Sequence, residues 1–497
     1  MDLTSLATDG IGNTYLSGTF TNSLPLLGTD YQSFGLADTY VMKLADGGEP
    51  LWVIAGGSEG NDTDSGVCTD AFGNLYWVGG FWLSASYQEQ QYTSTKSSKS
   101  FFFTKYDEEG TVLWSKLIEG TGVKNSSPPT TDVANNVYLT GSFSDSLFID
   151  DQILLAQATE DVFVGKWDQE GTLMWLTHFG ISGLNRAREV TISPTGQVII
   201  GGVFKGQMAI AEDTIATNTP DFDVFIASLT SEGTPAWIRK AGGVLEKNFS
   251  SITLDKESNI YVVGQYTGRL TLNEAIEITT DGFNENGYVL KFSNTGQPLW
   301  ASSLGSITFD TSTDILYNED LTVSGFFEKE FTSGELSSLG VGNLTGYLLN
   351  LDTAGNNNTL SNISSDNLLL INQLDQSSSQ QLIVGGTFKG NLSITNDRIM
   401  SEDHFSVFIG QYADPTTRVN DYHPSITIYP NPSDQFLIID VPFIDFQVRL
   451  WTKSGQLVFQ GKNSNKLNTD HLRSGTYFLQ LNHSSSVPII KKVIIQH

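Results

Sequence analysis

Short apolar runs of seven or eight residues recur along this chain, rich in β-branched and aromatic side chains and bounded by Gly, Asn, Asp and Ser. The first series reads NTYLSGTF (13–20), NLYWVGGF (74–81), NVYLTGSF (136–143), QVIIGGVF (197–204) and NIYVVGQY (259–266), with looser copies DLTVSGFF (320–327) and QLIVGGTF (381–388). Its closing aromatics, Phe20, Phe81, Phe143, Phe204, Tyr266, Phe327 and Phe388, are 61 or 62 residues apart. A second series trails the first: DTYVMKL (38–44), SFFFTKY (100–106), DVFVGKW (161–167), DVFIASL (223–229), NGYVLKF (286–292), TGYLLNL (345–351) and SVFIGQY (406–412). In five copies a Gly-containing turn follows and leads to Trp52, Trp114, Trp175, Trp237 or Trp300.

A period of this length is the mark of a repeat architecture. Each unit offers four short strands, with tight turns between the first and second and between the third and fourth. The variable stretch between the second and third is where insertions and binding surfaces concentrate. One such unit has two open edges and a face it cannot bury alone, and stacking seven of them radially solves both problems. The sequence therefore predicts an all-β chain: a seven-bladed β-propeller over 1–415, a linker over 416–424 and a small antiparallel β-sandwich over 425–497. An open solenoid is the competing arrangement, but neither end shows the polar caps it would need.

The repeated side chains have structural explanations to weigh first. The Gly-x-aromatic pair is expected where blades approach closely, the aromatic filling the gap between them. The five tryptophans are expected to pack between blades, with carbohydrate stacking as the minority reading. Asp9, Asp70, Asp132 and Asp255 precede the first turn of their units and are expected to cap it, since no second carboxylate recurs at calcium-ligand spacing.

Composition narrows the function classes. The chain has 27 basic and 55 acidic residues, for a net charge of −28. Residues 421–497 hold 7 basic and 5 acidic side chains, which leaves 20 and 50 for the first 420. So acidic a body repels phosphate backbones, which argues against nucleic acid; it reads as a solubilising surface, with cation binding the lesser alternative. The single cysteine, Cys68, replaces Ala7 and Thr191 in the repeat register and is expected to be a small buried filler. No apolar run has the length of a membrane span.

Catalytic grammar is missing. There is no His-Glu-x-x-His, Gly-x-Ser-x-Gly, phosphate loop or dinucleotide fingerprint, and no cofactor is expected. Four of the six histidines (178, 404, 423, 471, 483 and 497) lie after residue 420, and none recurs with a serine or carboxylate as a triad would require. A carboxylate pair meeting across the central channel would suit a glycosidase, a juxtaposition that spacing alone does not place.

After SVFIGQYADPTTRVNDYHP the pattern changes. Alternating apolar strands and turns at Lys-Ser-Gly and Arg-Ser-Gly run to the C-terminus, and the charge balance reverses. Tyr429-Pro430-Asn431-Pro432, the apolar strand through Ile439, Ser454-Gly455-Gln456-Leu457-Val458, Leu472 with Gly475-Thr476-Tyr477, and Lys491-Lys492 occur jointly and in order. This segment resembles the C-terminal sorting domain of type IX secretion cargo in Bacteroidota. The resemblance implies export across the outer membrane by the type IX machinery, and then release or attachment at the cell surface. The repeats resemble the secreted β-propeller proteins often joined to such domains, a likeness that carries less functional information.

Two oddities remain. The start, MDLTSLATDGIGNTYLSGTF, has neither the basic nor the apolar region of a signal peptide, and the seventh unit lacks its tryptophan strand. Both are expected from an N-terminal truncation, which would leave an open seam between the first and last blades. The leading expectation is a non-enzymatic binding or scaffold module at the cell surface, taking a glycan or protein ligand on its loops or channel. The alternative is a secreted polysaccharide hydrolase or lyase with carboxylates on those loops.

Overall fold

The computed structural model describes residues 1–88, 90–306, 308–394, 397–412, 427–429, 433, 435–440, 446–452, 457–483 and 489–496; at 393–394, 397–404, 427, 429, 440, 482–483 and 489–492 only the backbone is described. The chain forms two compact units, 1–414 and 415–497, and the all-β class expected from the sequence holds.

In the first unit the strand pairings resolve into seven successive antiparallel modules. Module 1 is representative, with an inner strand Asp2–Thr8, a second Thr14–Phe20, a third Asp38–Leu44 and an outer strand Pro50–Ser58. The inner strands of the others are Thr63–Thr69, the split pair Lys124–Ser126 and Thr130–Thr131, Ser182–Ile192, Lys247–Leu254, Asp310–Asn318 and Leu368–Gln376. The split falls at Pro128-Pro129, which lack ladder donors. Among the described residues, modules 1 to 6 have four main strands each and module 7 has three.

Each inner strand lies against the next in order, and the seventh lies against the first. Leu3 and Leu6 share a core with Ile383, Val407 and Ile409 of module 7. Thr8 N donates to Asp375 Oδ2 at 2.6 Å and Thr8 Oγ1 to the Gln376 carbonyl at 2.6 Å. The seam expected to be open is therefore closed along its inner strands. Modules 1 and 7 supply enough apolar surface there to seal without a further strand.

The repeated tryptophans hold successive modules together. Each indole lies over the turn glycine of the following module: a Cβ on Gly110, Gly171, Gly233, Gly296 or Gly355 would come within 2.6–3.3 Å of the ring of Trp52, Trp114, Trp175, Trp237 or Trp300. These glycines have φ between +77° and +89°, a region costly for residues with a Cβ. In four of the five, Nε1 also donates to the carbonyl two residues before the glycine: Trp52 to Glu108, Trp114 to Gln169 and Trp175 to Ser231 at 3.0 Å, and Trp300 to Thr353 at 3.3 Å. Lysines on the third strands reach the same carbonyls, Lys43 to Glu108 at 2.9 Å and Lys291 to Thr353 at 2.7 Å.

The aspartates before the first turns act as the sequence indicates. Asp70 Oδ1 accepts from Phe72 N and Asn74 N, and Asp9, Asp132 and Asp255 repeat the pattern. The Gly-x-aromatic glycines differ from expectation. Gly18, Gly141, Gly202, Gly264, Gly325 and Gly386 pair with Tyr40, Phe163, Phe225, Tyr288, Tyr347 and Phe408 of the third strand in their own module. A Cβ there would strike that ring or an inner-strand carbonyl. The missing side chain makes room within a sheet, not between sheets.

The second unit contains a three-stranded sheet (Thr427–Tyr429, Phe436–Asp440, Lys466–Asn468) and a four-stranded one (Leu457–Lys462, Phe446–Thr452, Gly475–His483, Ile489–Ile495). Leu437, Ile439, Val448, Leu450, Leu467, Leu479, Leu481 and Val493 form its core.

Candidate binding site at the channel mouth

The seven inner strands enclose a channel of about 410 Å³ to which every module contributes. A β-bulge interrupts six of them at one register, between Leu3 and Ser5, Asp64 and Gly66, Ala187 and Glu189, Phe249 and Ser251, Ser312 and Asp314, and Ile371 and Gln373. A bulge re-aims the side chain that follows it. Here three of them, Ser5, Glu189 and Asp314, reach the neighbouring strand.

Ser5 Oγ accepts from Val67 N at 3.2 Å, Glu189 Oε2 from Ile252 N at 3.0 Å, and Asp314 Oδ2 from Leu374 N at 2.7 Å. Asp375 on the last inner strand closes the circle by accepting from Thr8 N. Threonines add a second set of ties, Thr69 Oγ1 to the Thr8 carbonyl at 2.6 Å and Thr131 Oγ1 to the Thr69 carbonyl at 2.9 Å.

Burial raises the pKa of each carboxyl. Asp314 and Asp375 are both pushed up to about 6. Glu189 is held well above the usual range, first by burial and then by repulsion from Asp314, while a hydrogen bond from Ser251 favours the ionised form of each. Cys68, expected to be a buried filler, is only half-buried in the channel wall, and burial followed by the Asp70 charge drives its thiol pKa well above the ordinary value. A thiol so shifted is a poor nucleophile.

The meander places the variable second-to-third connections and the module-to-module loops on one face of the ring, and the stapled turns on the other. On the loop face, between modules 4 and 5, lies a cavity of about 260 Å³ lined by Arg186, Arg188, Phe222, Lys247, Gln265 and Glu285, among others. Two of its cations are engaged. Arg186 forms a two-pronged bond to Glu160 at 2.7 and 2.9 Å, and buried Lys247 donates to the Leu245 carbonyl and lies 3.9 Å from Asp223.

Arg188 is different. It is the bulge residue of module 4, lines both the cavity and the channel, is exposed, and has no hydrogen-bond or ion-pair partner among the described residues. Across the cavity Glu285 is partly buried, and desolvation raises its pKa. On the same face Phe34, Leu36 and Trp82 are exposed around the 58–62 loop, with Trp82 packed on Gly60.

Sequence reasoning missed Arg188, Glu189, Asp314 and Asp375. The signal was present in the repeat register, where Ser5, Gly66, Glu189 and Ser251 occupy one position, but the bulge that aims them belongs to strand pairing. Among the described residues no three His, Cys, Asp or Glu side chains are placed to hold a metal ion.

Of the sorting-motif residues, Tyr429 falls in the first strand of the second unit and Lys491 and Lys492 fall in its last, opposite Leu479 and Phe478. Leu472 packs against the core, Gly475 opens the long strand, and buried Tyr477 donates from its hydroxyl to the Arg473 carbonyl at 2.8 Å. Pro430, Asn431, Pro432, Gly455 and Gln456 lie outside the described residues.

Residues 427–496 match the family model of the secretion system C-terminal sorting domain. That tail is the type IX export signal, so the chain is an extracellular or cell-surface protein that engages the secretion machinery. Among the described residues no helix is long and apolar enough to cross a membrane. An uncharacterized WD repeat-containing protein of Acanthamoeba polyphaga mimivirus is 22% identical over 374 residues, 60% of this chain; the chain spans 27% of that relative's length.

Among solved structures, PorZ, a surface component of the type IX secretion system of Porphyromonas gingivalis, aligns over all of this chain and 81% of its own at 10% identity and a TM-score of 0.26. The extracellular domain of a Bacteroides thetaiotaomicron one-component system aligns over 100% and 87% at 11% identity and a TM-score of 0.19. A puromycin hydrolase aligns over 78% and 58% at 11% identity and a TM-score of 0.36.

Proposed function

We propose that the secreted ring is a non-enzymatic binding module whose loop face takes a glycan or protein ligand, anchored through an acidic group at Arg188. The observation that carries this reading is the unpartnered guanidinium where the channel meets the cavity. Arg188 feels the Glu160 carboxylate at a distance, but among the described residues it makes no hydrogen bond or ion pair, which leaves its donors available to a ligand. The exposed Phe34 and Trp82 on the same face supply apolar contact area.

In a screen of the full chain against acidic and neutral glycans and peptides, acidic ligands are expected to bind, and Arg188→Ala to weaken them about 10-fold or more, the scale of a charge-assisted hydrogen bond. Equal binding by the wild type and Arg188→Ala ends the proposal.

One observation favours the rival hydrolase or lyase: Glu189, Asp314 and Asp375 line the same channel as a basic residue. Each of these carboxylates, however, accepts a backbone N–H from the adjoining strand, which engages it in the wall. Release of reducing or unsaturated sugars from polysaccharide, lost in Glu189→Gln and Asp314→Asn, would establish the enzyme instead.

A further inference from the structure

The cavity between modules 4 and 5 is lined by unpaired groups of both charges, and they come from different modules. Arg188 stands on the inner strand of module 4, at the bulge between Ala187 and Glu189. Glu285 opens the third strand of module 5, Glu285–Phe292, opposite Thr267. Arg186 is held by Glu160, and Lys247 by the Leu245 carbonyl and Asp223, while Glu246 is exposed. Among the described residues the side chains of Arg188 and Glu285 make no hydrogen bond or ion pair.

Nor do these two satisfy one another. Burial is the leading cause of the pKa shift of each, downward for Arg188 and upward for Glu285. Arg188 also feels Arg186 and Glu160, but not Glu285, and no neighbouring charge relieves Glu285. An opposite charge within about 4–6 Å would have favoured the ionised form of both. The guanidinium and the carboxyl therefore line one cavity without meeting across it, and each bears a desolvation cost that the other does not offset.

Hydrogen-bonding capacity is left over as well. Asn248 Oδ1 accepts from Phe249 N at 3.0 Å and Gln265 Oε1 accepts from Thr311 Oγ1. The amide N–H groups of both line the cavity's wall without a partner among the described residues. Phe222 and Tyr266 give the same lining an apolar part.

We propose that this cavity binds a small zwitterion of amino-acid or dipeptide size, its carboxylate on Arg188 and its ammonium on Glu285. The proposal rests on the reading of Arg188 as the ligand anchor, and adds to it a second charge and a size. A guanidinium takes a carboxylate two-pronged, and an ionised carboxyl accepts the donors of an ammonium. A ligand with both charges relieves both desolvation costs, whereas a ligand with one leaves the other group uncompensated. The cavity, about 260 Å³, is smaller than the roughly 300–1,000 Å³ of sites for drug-sized ligands, and its aromatic lining suits an apolar side chain.

Calorimetric titration of the full chain at pH 7 tests this with leucine and alanyl-leucine, each beside its N-acetylated form and its C-terminal amide. Saturable one-to-one binding of at least one parent compound is expected. Acetylation, which removes the ammonium, and amidation, which removes the carboxylate, are each expected to weaken it about 10-fold or more, the scale of a charge-assisted hydrogen bond. Glu285→Gln is expected to weaken the parent to the level of its acetylated form and to leave that form unchanged. Arg188→Gln is expected to do the same with respect to the amide, because each pair of changes removes one and the same contact.

Parent and acetylated compounds that bind alike overturn the zwitterion while leaving Arg188 an anchor for anions. A parent compound that binds the wild type and both variants equally binds elsewhere, and overturns it too. So does the absence of binding by either parent, in which case the screen against acidic glycans and peptides decides the anchor separately. The acetylated and amidated compounds on the wild type keep the test decisive if a variant fails to fold.

Discussion

Gly233→Ala is expected to destabilise the ring by about 3 kcal/mol, combining a positive-φ cost of roughly 1–2 kcal/mol with a clash in a packed contact. The new methyl would lie 2.6 Å from the Trp175 ring, and the backbone there has φ +77°. Gly48→Ala is the internal control. It has the same turn geometry, with φ +82°, but among the described residues no ring lies above it, so only the backbone term of roughly 1–2 kcal/mol is expected. Denaturant unfolding of the two variants beside the wild type measures the difference, which is the packing contribution of one latch. Equal losses would mean that the indole yields freely and that the latch does not hold the modules together. Because repeat arrays depart from two-state unfolding when one interface weakens, the slope of the transition is expected to fall in Gly233→Ala as well.

The second large effect is a loss of stability as pH rises from about 4 to 7. Asp62, Asp314 and Asp375 are pushed up to about 6, and Asp64 and Asp310 to about 7, in every case chiefly by burial. A carboxyl with a higher pKa in the folded chain than in the unfolded one binds its proton more tightly when folded. Its contribution is complete below the unfolded value near 4 and is lost as pH rises through 6 to 7. For one group moved from 3.8 to about 6, the loss by pH 7 is on the order of 3 kcal/mol.

Asp132 and Asp161 act in the opposite direction. Hydrogen bonds from Asn136 and Tyr138 in the first case and His178 in the second hold them below the ordinary range despite burial, so their contribution is lost as pH falls. Greatest stability is therefore expected near pH 4, with most of the loss between about pH 4 and 7. Thermal unfolding across pH 4 to 8 checks this. Asp314→Asn and Asp375→Asn separate the channel carboxyls from general repulsion in a chain of net charge −28, because an amide oxygen still accepts the backbone N–H without ionising. If both variants keep the full wild-type pH slope, surface repulsion and not these side chains is responsible.

Much of the architecture was legible because it is periodic. The spacing of closing aromatics from Phe20 to Phe388 gave the repeat, and the alternation within each run gave strands. Aspartates such as Asp70 announced their turns through residue types that have few other local uses. The tail was legible through motif order, from Tyr429 to Lys492. The Gly-x-aromatic glycines were misplaced because a missing side chain does not say which neighbour uses the space. Gly18 makes room for Tyr40 in its own sheet, where inter-module contact was the expectation.

The site was less legible still. Arg188 and Glu189 are adjacent in sequence, yet among the described residues one makes no hydrogen bond or ion pair at the channel mouth and the other is tied to the next strand. A one-residue bulge separates their fates, and bulges follow from pairing with a partner strand, not from local composition.

By itself, then, the sequence determined the all-β class, the turns and the export tail, because period, turn chemistry and motif order are local properties of a chain. Tertiary structure alone decided that the inner strands of modules 1 and 7 meet, that the channel carboxyls are held against neighbouring backbone, and that each of five indoles lies over a glycine of the next module. Each of those depends on what a distant segment brings within a few ångströms, and on water being excluded where it does so.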